Sequence, residues 1–162
     1  RVGGSNMQMK FYISSVFGDV SSVHPLPHRG MDLAMPEGTL LRTVTNGVVD
    51  RVFNDGKCGK GVMVQFETNK YNIYCHMKEV FVNPGQHLQY GDKIGLSGNT
   101  GNSTGPHLHF GVKDGGQYLD PSSFNNDLQE LSGNLAFEQQ HIQGTVLDTI
   151  FDVLESLVND LG

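Results

Sequence analysis

The stretch "GNSTGPHLHFGV", residues 101–112, places two histidines one residue apart, His107 and His109, directly after a glycine-rich run that ends in proline. Alternation following a turn reads as a β-strand. Residues two apart in a strand share a face, so the two imidazoles project together while Leu108 enters the opposite, apolar side. An H-x-H pair alone arises often by chance. It carries chemistry only if other segments bring donors to the same face.

Outward from this pair, the dominant period is two. "KFYISSV" (10–16), "GVVDRVF" (47–53), "GVMVQFE" (61–67) and "YNIYCHM" (71–77) read as strands, with "TNK" turning a hairpin between the last two. No helical pattern separates them, so the fold class is mainly β, an antiparallel sheet core with a substrate cleft. "LDPSSFNNDLQELSG" (119–133) closes that region with turn chemistry, and beyond it the pattern changes. In "TVLDTIFDVLESLVNDLG" the residues Leu147, Ile150, Phe151, Leu154, Leu157, Val158 and Leu161 recur at three- and four-residue steps, predicting a C-terminal amphipathic helix that docks on its own domain or pairs with a partner or second copy.

Two further segments offer donors. In "HRGMD", His28 and Asp32 lie four apart and share a face in either helix or strand; Pro25, Pro27 and Gly30 oppose the helix, and "MDLAM" follows as strand-like. Imidazole nitrogen and carboxylate oxygen are both zinc donors. In "YCHM", His76 alternates with Tyr74 on one face and Cys75 points the other way, which argues against a Cys75–His76 nucleophilic dyad. His24 could reach the rim of a site; His87 and His141 read as solvated surface, and Met31 and Met35 as packing residues. "GLSGNTGNSTG" (95–105) lacks the Gly-Lys-Ser/Thr of a phosphate loop, so its glycines shape a cleft wall, and no Ser-His-Asp logic accompanies its serines.

Composition narrows the class. With 162 residues, 37% of them hydrophobic, the chain suits one soluble domain and has no run long enough for a membrane span. Eleven basic against 17 acidic residues give a net charge of −6, with no basic patch, so nucleic acid is not the partner. Cys58 and Cys75 permit one disulfide at most; they form no CxxC, and the preferred reading is two unpaired or semi-buried thiols. The chain opens "RVGGSNMQMK", without initiator Met or signal peptide, and reads as a processed product or a piece of something larger.

Taken together and in this order, "HRGMDLAMPEGT", "NGVV", "YCHM", "GQHLQYGDKIGLSGNTGNSTGPHLHF" and "LDPSSF" resemble the lysostaphin-type, or LytM-like, zinc endopeptidases that cut bacterial peptidoglycan. The likeness runs from about Phe17 to Phe124. It implies a lead-in strand (1–16), a LytM-like domain (17–125) and a helical extension (126–162). It implies zinc held by His28, Asp32 and His109, with the fourth position left to water as in catalytic sites. His76 and His107 are then catalytic: one imidazole, with His107 preferred, accepts the proton from water, and the other donates to the developing oxyanion or positions the nucleophile. The glutamate base of H-E-x-x-H proteases is missing. Relatives place an aromatic shortly before the first zinc histidine; here none lies between Asp19 and His28, so another residue takes that role or the scissile bond differs.

The expected function is zinc-dependent cleavage of peptide cross-links or stem peptides of peptidoglycan, outside the cell or in its envelope. The alternatives are a non-catalytic wall-binding or amidase-activating LytM-like module, and the lytic domain of a phage tail or secretion apparatus, virion-associated. Forfeited metal ligands would favour the non-catalytic module.

Overall fold

The computed structural model describes residues 11–22, 25–133, 153, 154, 157 and 158. Lys10–Gly133 form one compact unit, and the sheet and site lie within it. Val153, Leu154, Leu157 and Val158 are helical and exposed. Apart from these four positions, the amphipathic helix expected over 145–162 lies outside the described residues, as do His24 and His141.

Ten strands make one antiparallel sheet: β1 (Tyr12–Ser15), β2 (Met31–Ala34), β3 (Leu40–Arg42), β4 (Gly47–Asp55), β5 (Gly59–Glu67), β6 (Lys70–Val80), β7 (His87–Leu88), β8 (Lys93–Ser97), β9 (His107–Asp114) and β10 (Gln117–Leu119). The main path runs β1-β2-β9-β6-β5-β4-β7; β10 pairs with β9, while β8 pairs with both β3 and β6. The long central strands are those whose alternation is clearest in sequence, and every pairing is antiparallel. Turn chemistry sets their register. Glu67 pairs with Lys70 across the two-residue turn Thr68–Asn69, and Asn69 takes φ 60°, which asparagine tolerates.

Buried clusters lie on both faces of the sheet, the larger on one and a smaller one of Cys58, Met63, Ile73 and Cys75 on the other. Leu33, Val62, Val64, Tyr74, Met77, Ile94, Leu108 and Phe110 are fully buried, and Tyr74 meets Phe110 edge-on at 5.2 Å. The Tyr74 hydroxyl accepts from the Val44 amide at 3.0 Å, satisfying its polar end inside the core.

Three expectations need correction. "DPSSFNNDLQELSG" is not merely turn: a 3-10 turn at Pro121–Phe124 leads directly into α1 (Asn125–Gly133). Asp120 caps the turn by accepting from the Ser122 amide at 2.9 Å, and Leu128 and Leu131, one turn apart, are buried. Gln129 of α1 pairs both ways with the Phe11 backbone, at 2.6 and 2.9 Å, and so ties the helix to the start of the unit.

The second correction concerns the cysteines. Cys58 and Cys75 form a disulfide with Cα atoms 4.9 Å apart. Cys58 sits just ahead of β5 where that strand meets β6, so pairing of the two strands brings the thiols within bonding range despite 17 residues of separation.

The third concerns His76. Strict alternation would put its side chain on the Tyr74 face, inside the core. Instead His76 has φ 63°, and the ladder shifts register on both sides of it, between Lys60 and Val62 and between Met77 and Glu79. This irregularity re-aims the imidazole to the face that His107 and His109 occupy.

Candidate active site

The site grows from one antiparallel pairing. Asp32 of β2 stands directly opposite His109 of β9, and facing residues on adjacent antiparallel strands put their side chains side by side. Their donors, Oδ1 and Nδ1, lie 2.9 Å apart. His28 precedes β2 in irregular chain, and its Nε2 lies 3.3 Å from Asp32 Oδ1 and 3.1 Å from His109 Nδ1. A close approach makes room for this: a Cβ on Gly30 would sit 2.7 Å from the His109 ring.

Among the described residues, His28, Asp32 and His109 are the group of His, Cys, Asp or Glu side chains that could hold a metal ion, with one donor atom from each within 4.8 Å of the others. Two ligands about 2.1 Å from a tetrahedral ion stand about 3.4 Å apart, so this nitrogen, nitrogen and oxygen set fits zinc closely. Neither cysteine is available as a fourth donor, since both are consumed in the disulfide.

The two remaining histidines line the same hollow. The His76 and His107 rings are 4.7 Å apart by centroid, and His76 stands 6.1 Å from His109. His107 Nε2 lies 3.8 Å from Asp32 Oδ2. All five predicted residues therefore meet at one place.

Backbone carbonyls decide which nitrogen each imidazole presents. His76 Nδ1 lies 2.7 Å from the Thr100 carbonyl, His107 Nδ1 is 2.8 Å from that of Gly105, and His28 Nδ1 is 3.2 Å from that of Val16. A carbonyl only accepts, so each Nδ1 carries a proton and, in the neutral ring, each Nε2 presents a lone pair. Ser103 Oγ, 3.1 Å from His107 Nδ1, faces this protonated nitrogen, and that disposes of a serine nucleophile activated by His107.

The 95–105 segment is thus a wall with a task, because its carbonyls orient both catalytic candidates. It packs tightly on the start of β5: a Cβ on Gly59 would meet Thr100 at 2.5 Å, and Gly59 takes φ +68°. Close backbone approach is seen at Gly95, Gly98 and Gly101, though not at Gly105, and the carbonyls of Thr100 and Gly105 carry no signature in sequence. Neither does Ser15, whose Oγ lies 3.0 Å from His28 Nδ1. His87 is exposed on β7, and Met31 and Met35 are buried packing residues.

Electrostatics follow from burial and pairing in the metal-free protein. Burial pushes the Asp32 carboxyl up, but hydrogen bonds from His109 and His28, with their charges, outweigh it and hold the group well below the usual carboxylate range. Burial pulls His28 down; the Asp32 hydrogen bond and charge more than compensate, leaving it above its ordinary 6.5. His76 goes the other way. Burial, with the charges of His107 and His109, outweighs the Thr100 bond and keeps it below 6.5.

The profile of Peptidase family M23 matches residues 26–121. The chain is 42% identical over 106 residues to the peptidoglycan DD-endopeptidase ShyA of Vibrio cholerae, an alignment covering 62% of this chain and 24% of that protein. The structure superposes on a zinc-containing peptidase from Vibrio cholerae with a TM-score of 0.64 at 29% identity, covering 70% of this chain and 39% of the other. A mutant catalytic domain of the prophage-encoded M23 protein EnpA from Enterococcus faecalis superposes with the same TM-score and identity, covering 69% and 89%. The chain spans less than two-fifths of the length of the curated relatives it matches.

Proposed function

Since the chain belongs to peptidase family M23, we propose that it is a zinc-dependent endopeptidase cutting peptide cross-links or stem peptides of bacterial peptidoglycan. The observation that carries the reading is the convergence of His28, Asp32 and His109 as a three-donor set, with two lone-pair imidazoles, His76 and His107, beside it. A wall-binding module without catalysis would have no use for all five. ShyA, by its name, cleaves a bond in the same polymer.

His28, Asp32 and His109 would hold the ion, and zinc there would supply Lewis-acid polarisation of the scissile carbonyl and a lowered pKa for water. His107 Nε2 takes the proton of the attacking water, because its Nδ1 is already committed to Gly105 and Nε2 faces the Asp32 side of the hollow. His76, anchored at Thr100 through Nδ1, presents its Nε2 lone pair to the hollow and there positions the attacking water by accepting a hydrogen bond from it. The catalytic module is read as 17–125, preceded by 1–16 and followed by 126–162, within the slightly wider compact unit Lys10–Gly133. Its place of action is the cell envelope or the space outside it.

Purified sacculi treated with the zinc-loaded chain should release peptide fragments whose masses report the bond cut. His107→Ala should retain zinc yet release fragments about 10²–10⁴-fold more slowly. Zinc uptake with no fragment release from any wall chemistry overturns the catalytic reading.

A further inference from the structure

Of the three metal donors, His28 alone lies outside a strand, so the ladder that aligns Asp32 with His109 does not hold it. The turn 15–19 does. The His28 amide donates to the Asp19 carbonyl at 3.0 Å, and the Gly18 amide donates to the His28 carbonyl at 2.8 Å. The turn is closed by the Asp19 amide on the Val16 carbonyl at 3.2 Å. Ser15 ends β1 directly opposite Asp32, is buried, and places Oγ 3.0 Å from His28 Nδ1 and 3.3 Å from Asp19 Oδ2.

The geometry points to Ser15 and Asp19 as positioning residues of the metal centre, which tie the first ligand to a carboxylate through a serine hydroxyl. The direction of each bond follows from the donors. Nδ1 of His28 carries the proton and shares it between the Val16 carbonyl and Ser15 Oγ; Ser15 then donates its own hydrogen to Asp19. An imidazole whose far nitrogen donates into such a chain is fixed in tautomer and ring angle, and its ligating nitrogen becomes more basic. Neither residue belongs to the histidine motifs, and their spacing to His28 shows no period. This inference rests on the metal-centre reading above.

A merely structural turn would hold the chain without changing how the ion is held. The test therefore measures zinc affinity by chelator competition and, separately, thermal unfolding of the metal-free chain, for the unaltered chain and for Ser15→Ala, Ser15→Thr and Asp19→Ala. Ser15→Ala should weaken zinc binding about tenfold and Asp19→Ala less, with Ser15→Thr within about twofold of the parent and metal-free unfolding midpoints unchanged. Asp19 is exposed, so its variant reports even where Ser15→Ala fails to fold. Parental zinc affinity in both alanine variants overturns the inference while leaving the metal centre intact. A parent that takes up no zinc ends the metal-centre reading and this one together.

Discussion

At the scale of single residues, Asp32 is the hinge of the site. It faces His109 across the ladder, contacts His28 at 3.3 Å and stands 3.8 Å from His107. Its carboxyl is held below, and His28 above, the ordinary values of 3.8 and 6.5. A lowered carboxylate contributes stability that is present above its unfolded value and lost as pH falls through the folded one. A raised imidazole contributes fully below its unfolded value and loses that contribution as pH climbs through the folded one. The pair therefore stabilises the metal-free chain most between about pH 4 and about 6.5. Denaturant unfolding of the metal-free parent and Asp32→Asn should show a larger difference at pH 5 than at pH 8. Equal differences at the two values would contradict the assigned shifts.

At the scale of elements, the stretch of β6 around His76 does two things at once. The disulfide staples Cys75 to Cys58, and the His76 amide donates to the Cys58 carbonyl at 2.8 Å, so the irregularity that turns the imidazole outward is held from the β5 side. A left-handed backbone at a residue other than glycine costs roughly 1–3 kcal/mol and persists only where its surroundings over-determine it. Replacing both cysteines with serine should lower unfolding stability by about 3 kcal/mol, the expected effect of opening a loop of this size. It should also reduce turnover, since His76 loses its support. Chemical denaturation and fragment release from sacculi read the two effects, and unchanged stability would mean the staple does little.

At the scale of the whole molecule, the three metal donors come from two strands and an irregular segment that only the folded sheet assembles. A zinc ion held by them would bind the native state far better than the unfolded chain, and its binding energy would become folding energy. At about 100 times its dissociation constant, zinc should stabilise the chain by about 2.7 kcal/mol, which a melting curve with and without chelator reports. His109→Ala should abolish that upward shift, and a shift that survives the substitution would place the ion elsewhere. Among the described residues no helix is long and apolar enough to cross a membrane.

Local periodicity made much of this legible in the sequence. The long strands announce themselves by alternation, and His107 with His109 share a face for the same reason. His28 and Asp32 were readable from residue type and from order relative to the other motifs. What needed the tertiary structure were the features set by a neighbouring strand or loop. His76 faces the site because its pairing with β5 and β8 breaks register there; its own sequence predicts the core face. Cys58 and Cys75 bond because β5 and β6 lie side by side. The short α1 escaped because "NNDLQELSG" has only two buried leucines one turn apart, too little period to outweigh its turn-forming residues. The carbonyls of Thr100 and Gly105 orient imidazoles through backbone that every residue possesses, and backbone position is decided by folding, not by residue type.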